Sequence, residues 1–586
     1  MNEAQVNDMI QRWRTTPDDV LKPEDYKHFQ RIGSACISQG ETSQLLNFIQ
    51  DDNNKGIVTS MGCTLLSPLL CQILTKGKDW DRCQTAFTYL TQTCCPKRAF
   101  HSLLDLIKDT DPGAISETIV TVTPHLQTVV LRLDAEQAVC VGQSLSSLHS
   151  QMSRLPVPYT PEQEQEDPYD LRGCLSSLIA FARPFVEKVK LNSSKWVTAK
   201  EDEELRVELL KFCMRSLREP LLEAQLQRNN TSPLWLFAND IMMILCEVQG
   251  PLPDILFFNS LRKHVSDNDQ SVDSRACVAY LLFVQQITTD SFPAVFSPVF
   301  ILQCNMQYID QMLNSKKESY VLKGLALYKI TLETIEDRSL SVKLLELSTF
   351  CSVSQKLGYI LRECPIKHLK ESGLQILQMF IDKLDAEAKH KFFRCMLKTS
   401  NHSGIEGFIV KNIRNEVEFC LKSGNENKWF MGPELSPLLG LVLCLPHGSE
   451  TDLLNNMDKI MESLNLLRYL LLRNNELAIH TAVWAELCRL RDDYVKMLRV
   501  CLSLSRGYYS SELKSLQEDR KLQVQEARAA ARDKALLQKI KLKQEKVSSL
   551  SPEVQHQVLQ SAMVTFDLME SLIFRIEEIT EETMKM

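Results

Sequence analysis

Lys323-Gly324-Leu325-Ala326-Leu327-Tyr328-Lys329-Ile330-Thr331-Leu332 and Ser372-Gly373-Leu374-Gln375-Ile376-Leu377-Gln378-Met379-Phe380-Ile381 read as two versions of one helical segment. Apolar positions match at five places in the window, and the offset from Lys323 to Ser372 is 49 residues. That spacing is close to the roughly 40–47-residue period of HEAT and armadillo repeats. A helix pair of this kind cannot bury its apolar face alone, so neighbours stack into one continuous core. The echo therefore predicts an all-α chain, a HEAT/armadillo-like helical repeat solenoid.

Helical periodicity extends outward from these segments. Leu205, Leu209, Phe212, Cys213 and Leu217 share one face, and Glu201 to Glu204 precede them, where negative charge suits a helix N-terminus. Ser449-Glu450-Thr451-Asp452 reads as a capping box opening a helix that carries Leu453, Met457, Ile460, Met461, Leu464 and Leu467. Ser551 caps a last helix with Pro552 at its first position. Its predicted apolar stripe is Val554, Val558, Met563, Phe566, Met569, Ile573 and Ile576. No convincing set of alternating strands is present. Two stretches interrupt the pattern. A proline- and acid-rich connection near 155–169 begins Leu155-Pro156-Val157-Pro158-Tyr159, and helix is not expected to persist there. Ser510 to Ser549 is charge-dense, with a thin apolar stripe, and reads as a solvated helix or charged insertion. This divides the sequence into an N-terminal repeat region, 1–195, and a C-terminal HEAT-like region, 200–586, which carries the insertion at 510–549.

Composition sets outer limits on function. The chain has 586 residues, 44% of them apolar, enough for a continuous core. Lys+Arg 67 against Asp+Glu 74 leaves no overall basic field, so no nucleic-acid partner is expected. The 19 cysteines are spread almost evenly, odd in number and without a Cys-x-x-Cys pair. They read as small apolar core residues in a reducing compartment. The N-terminus lacks an apolar signal core, and runs such as Leu435 to Leu445 are too short to span a bilayer. A soluble cytoplasmic protein without membrane insertion is the expectation.

Sites for chemistry are missing from the sequence. There is no glycine-rich phosphate cradle, metalloprotease motif, calcium loop or nucleophile elbow. Neither a cofactor nor a metal is expected. Cys94 and Cys95 are adjacent, a spacing suited to packing rather than to ligation. Asn401-His402-Ser403-Gly404 reads as a turn with a helix cap. The feature that does stand out is Asn425-Glu426-Asn427-Lys428-Trp429-Phe430-Met431-Gly432-Pro433, two large aromatics on a polar connection broken by Gly-Pro. Aromatics on a connection either hold a partner or fold back as a staple onto the helices they join. Trp429, Phe430 and Lys428 are the candidate contact residues, with Arg468 and Arg473 further on.

Several segments together resemble the glomulin family. They are Leu155-Pro156-Val157-Pro158-Tyr159, Thr399 to Gly404, Asn427-Lys428-Trp429-Phe430, Glu450 to Leu454, Ser463 to Leu470 and Thr565-Phe566-Asp567-Leu568. Their collinearity spans nearly the whole chain, whereas Ser510–Ser549 departs from the family in composition and length. The resemblance implies a helical-repeat protein without enzymatic activity. It implies that the C-terminal half binds the RING domain of the RING-box subunit of cullin–RING ubiquitin ligases. There it masks the face that receives the ubiquitin-conjugating enzyme and inhibits ubiquitin transfer. It further implies an FK506-binding immunophilin and a hepatocyte growth factor receptor as partners, and a role in vascular development. Two other classes compete with this reading: a generic α-solenoid scaffold binding peptides or an immunophilin, and a cysteine-dependent enzyme.

Overall fold

The structure is a computed structural model that describes residues 3–17, 20–77, 79–133, 136–156, 160–192, 200–226, 232–258, 269–422, 424–473, 481–533 and 552–585. Among these residues there are helices and short turns but no β-strand, only an isolated bridge between Leu340 and Leu384. The chain is an all-α helical repeat, as the echo predicted. It forms two compact units, Met1–Thr334 and Ile335–Met586. The sequence regions 1–195 and 200–586 divide the chain elsewhere; the Leu171–Asn192 helix packs against both the Lys200–Ser216 and Pro233–Gln249 helices.

In the first unit each helix packs on near neighbours in the chain. Pro96–Lys108 lies on Ile115–Leu131, Gln137–Met152 on Lys200–Ser216, and Pro298–Leu313 on Glu318–Glu333. The predicted stripe Leu205, Leu209, Phe212, Cys213 and Leu217 is buried throughout. Glu201, Asp202 and Glu203 occupy the first turn of that helix, as its sequence suggested.

The two echoed segments fall in the Glu318–Glu333 and Lys367–Lys383 helices, and their burial registers coincide. Gly324, Leu327, Tyr328, Thr331 and Leu332 are buried in one, and Gly373, Ile376, Leu377, Phe380 and Ile381 in the other. Steps of three, four, seven and eight residues place each set on a single helix face. One apolar match does not hold: Leu325 is buried, whereas Leu374 is 41% exposed.

A buried histidine gives the first unit a pH response. His149 Nε2 lies 2.8 Å from Ser216 Oγ, joining the Gln137–Met152 and Lys200–Ser216 helices. Burial, reinforced by the Arg215 charge, pushes its pKa down to about 3. The unfolded chain takes up this proton near pH 6.5, whereas the folded chain resists it. The associated stability is therefore complete above about pH 6.5 and is lost as pH falls toward 3. Over that window one proton costs about a factor of ten in the folding equilibrium per pH unit. Unfolding titrations of wild type and His149→Gln should differ in slope there and run parallel above pH 7. Parallel curves at pH 4–6 would refute the assignment.

The second unit stacks Ser348–Glu363 on Lys367–Lys383, Ala386–Thr399 on Leu435–Val442, and Ser403–Cys420 on Met457–Leu472. The Thr481–Asp533 and Pro552–Lys585 helices complete it, each packing on the other and the latter also on Met457–Leu472. Ser403–Cys420 and Met457–Leu472 begin together. Ser403 Oγ accepts from Lys459 N at 3.1 Å, and a buried ion pair links Lys459 and Glu406 at 2.7 Å. Gly407 makes this approach possible, because a Cβ there would lie 2.8 Å from the Asp458 carbonyl oxygen. The obstacle is backbone and cannot rotate away. Gly407→Ala should therefore cost about 1–3 kcal/mol as an overpacking change, although alanine is the better helix former. A thermal melt showing a gain in stability would contradict this.

Four sequence expectations need correction. The helix assigned to the Ser449–Asp452 capping box starts later, at Met457; Asp452 Oδ1 instead accepts from Leu454 N and Asn455 N at 3.0 and 3.1 Å, closing a separate turn. Val554 and Val558 are 40% and 53% exposed. Side-chain contacts with the preceding helix run from Ser510–Met563 to Arg491–Thr580, so the buried stripe is Ala562, Phe566, Met569, Ile573, Ile576 and Ile579. The proline-rich connection does contain a short helix, Pro161–Glu166. Thr160 and Gln163 form its capping box, and proline at the first position has no amide hydrogen to leave unpaired; residues 157–159 lie outside the described residues. Finally, Asp52–Leu74 is long and apolar enough to cross a membrane by length and composition, but 56% of that window is buried in the packing of the first unit. Of the charged segment, residues up to Asp533 continue the Thr481–Asp533 helix, and the remainder up to 549, with Ser551, lies outside the described residues.

Candidate partner-binding site

The aromatic pair sits where the sequence placed it, on a connection, between the Ser403–Cys420 and Leu435–Val442 helices. Asn427 organises that connection. Its Oδ1 accepts from Trp429 N at 3.0 Å and from Phe430 N at 3.1 Å, and its Nδ2 reaches Cys420 Sγ at 2.8 Å. This is an asparagine side chain imitating a backbone turn. Met431 N then donates to Asn427 O at 3.2 Å, and Gly432 passes so close that a Cβ would lie 2.7 Å from Lys428 O. The glycine of the Gly-Pro break thus serves backbone contact as well as chain direction.

The turn sends its two aromatics in different directions. Phe430 is fully buried, its ring 6.1 Å from Phe393 and 6.0 Å from His390. Its expected role as a partner contact is corrected: the ring fills the core of its own repeat and has no surface to offer. Trp429 is half-buried, its ring tilted against His390 at 5.2 Å. Among the described residues its indole N–H has no partner. The exposed Lys428 holds its ammonium 4.8 Å above the Trp429 ring, a cation–π contact. His390 is anchored from behind, its Nε2 donating to Glu434 O at 2.8 Å. Burial lowers its pKa, opposed by the Glu434 carbonyl and carboxylate, so the ring is a neutral backing for Trp429.

Arg468 is exposed on the Met457–Leu472 helix and has no ion pair among the described residues. Arg473, also exposed, follows that helix and lies 5.9 Å from the Tyr469 ring. No ring contact, hydrogen bond or ion pair among the described residues joins Arg468 to Trp429. The structure thus gathers Lys428, Trp429 and His390 into one cluster and leaves Arg468 on another helix. Sequence reasoning missed His390, 39 residues before Trp429 and silent in any local pattern. Asn427, two residues before the tryptophan, was a readable turn signal. Leu472 was missed as well, 56% exposed between the two arginines' positions.

No group of His, Cys, Asp and Glu among the described residues is disposed to hold a metal. The cluster offers an amphipathic ring, a cation and an unpaired N–H, which are elements of recognition.

Comparison with known proteins gives a consistent result. A family model described as "Uncharacterised protein family, YAP/Alf4/glomulin" matches residues 2–241 and 254–562. Glomulin of Homo sapiens is 40% identical over 596 aligned positions, covering 99% of this chain and 98% of that protein. Glomulin of Mus musculus is 39% identical with the same coverage.

Proposed function

This chain belongs to the glomulin family, and from that premise we propose that it is a non-enzymatic inhibitor of cullin–RING ubiquitin ligases. Family membership supports the coarser statement, a regulatory or adaptor protein. The finer reading is that the second unit binds the RING domain of the RING-box subunit and covers the surface where a ubiquitin-conjugating enzyme docks. Inhibition by masking requires a stable surface and sufficient affinity, and no residue has to donate or accept a proton.

The observation that carries the reading at residue level is the Lys428–Trp429–His390 cluster, a half-buried tryptophan backed by a fixed neutral ring. Rigid aromatic anchors of this type contribute disproportionately to protein interfaces. Arg468 and Arg473, on another helix and its exit in the same unit, supply further polar contacts in this reading. The protein acts in the cytoplasm in this reading, and an FK506-binding immunophilin and a growth factor receptor are further partners. A reconstituted cullin–RING reaction tests the proposal. Ubiquitin-chain formation should fall as the protein is added and recover with excess conjugating enzyme. Undiminished chain formation at saturating protein would sink it, and binding of linear peptides in place of a RING would favour a peptide-carrying scaffold.

A further inference from the structure

Three carboxylates gather at the end of one helix in the first unit. Asp105 lies in the last turn of the Pro96–Lys108 helix, Asp109 occupies its C-cap, and Asp111 follows. A helix C-terminus carries the negative end of the helix dipole, so it favours cations over aspartates. Lys108 is the basic side chain of that turn, yet no ion pair joins it to any of the three among the described residues. The nearby Arg154 is engaged elsewhere, donating to Thr110 O at 3.4 Å and to Gln151 Oε1 at 2.7 Å. The aspartates therefore repel one another without an internal counter-charge.

All three are exposed and line one cavity of ≈ 460 Å³, where the Leu66–Leu74 and Pro96–Lys108 helices pack. Its apolar side comes from Leu70, which is buried, and from the half-buried Leu74 and Leu106. Among the described residues no Lys, Arg or His lines it. A separate observation comes from the Ile115–Leu131 helix. Thr118 lines the same cavity and is 2% exposed, and its hydroxyl has no hydrogen-bond partner among the described residues. Buried hydroxyls are nearly always paired, so this one is left for a group entering the cavity. Carboxylates beside an apolar wall suit a long basic side chain, with its apolar stem and charged head. A guanidinium adds a planar fork of N–H donors that matches carboxylate oxygens.

We propose that this cavity is a docking site for an arginine-bearing segment of a partner protein. The methylene stem lies along Leu70, Leu74 and Leu106, the guanidinium reaches Asp105, Asp109 and Asp111, and the Thr118 hydroxyl pairs with a polar group of the segment. The volume falls within the range of sites that hold a drug-sized ligand, about 300–1,000 Å³, so residues next to the arginine enter with it. The site belongs to the first unit and the Trp429 cluster to the second, so it stands or falls independently of RING binding.

The test measures fluorescence anisotropy of a fluorescein-labelled Leu-Arg-Ala-Leu-Arg-Ala peptide with the full-length protein. Binding should saturate, weaken as sodium chloride is raised, and exceed that of the same peptide with glutamine for arginine by about tenfold. Asp105→Asn combined with Asp109→Asn should weaken it by about tenfold with an unchanged melting temperature, because neither carboxylate is paired in the fold. Cys71 is exposed and lines the same cavity, so it reports occupancy without any variant. Saturating peptide should slow its alkylation and leave the exposed Cys351, Cys395 and Cys444 of the second unit unaffected. Absence of saturable binding, equal binding of the glutamine peptide, wild-type affinity in the double variant, or an unprotected Cys71 would overturn the proposal. So would a Cys71 that already resists alkylation in the free protein, since a segment of the chain itself would then fill the cavity.

Discussion

Replacing Glu416 with alanine should cost the Ile335–Met586 unit about 3–5 kcal/mol of stability. This carboxylate is shared. Arg338 Nη1 and Nη2 donate to its two oxygens at 2.8 and 2.9 Å, and Lys389 Nζ donates to Oε1 at 2.7 Å. The lysine side chain is 1% exposed and that of Glu416 is 8% exposed, so the ammonium has no route to water when the carboxylate is lost. Arg338 would suffer less, because its side chain is 30% exposed and its guanidinium stays stacked 3.4 Å from the Phe419 ring centroid. The magnitude comes from the abandoned lysine and not from the ion pair itself, since buried pairs roughly balance attraction against desolvation. A second variant separates the two ideas. Lys389→Met combined with Glu416→Leu should recover most of the loss, as it removes both buried charges together. Urea unfolding of the full chain, followed by a probe in the second unit, provides the comparison. A loss below about 1 kcal/mol for Glu416→Ala would mean that water reaches Lys389 after all.

The Glu416 network shows why some of this fold could be read from sequence and some could not. Helix faces repeat every three or four residues, so Leu205 to Leu217 and the echoed segments announced their buried sides locally. The partners of Glu416 lie 78 and 27 residues away, Arg338 and Lys389. No periodic pattern connects them, and each reads alone as an ordinary surface charge. The end of the last helix's stripe was illegible for a related reason. Val554 and Val558 continue the apolar period, yet burial requires a facing helix, and among the described side chains the bonds to the preceding helix begin at Met563. The capping box failed because Asp452 closes its own turn onto Leu454 N and Asn455 N, five residues before the helix begins at Met457. His402 shows the opposite case: a cap was predicted, and its imidazole Nδ1 does accept from Ile405 N at 3.3 Å.

Phe430→Ala and Trp429→Ala should separate stability from recognition at adjacent positions. Phe430 is fully buried against Phe393 and His390, so its removal opens a cavity in the repeat and should cost about 3–5 kcal/mol. Trp429 keeps one side on His390 and Lys428, so truncation gives up ring contacts worth about 0.5–1.5 kcal/mol of folding. Its effect should fall on the partner: about 2 kcal/mol, or roughly thirtyfold weaker binding of an isolated RING-box RING domain. The divergence follows from the turn. Asn427 bonds the amides of both residues and thereby fixes which ring goes in and which stays at the surface. Two adjacent aromatics in sequence cannot declare that choice, because the deciding contacts to His390 and Phe393 come from another helix. Calorimetric titration and chemical unfolding on both variants make the test. If Trp429→Ala unfolds as readily as Phe430→Ala, the tryptophan is a staple. If it folds well and binds the RING as tightly as wild type, the docking surface lies elsewhere on the second unit, and the exposed Leu472 with its flanking arginines becomes the position to truncate next.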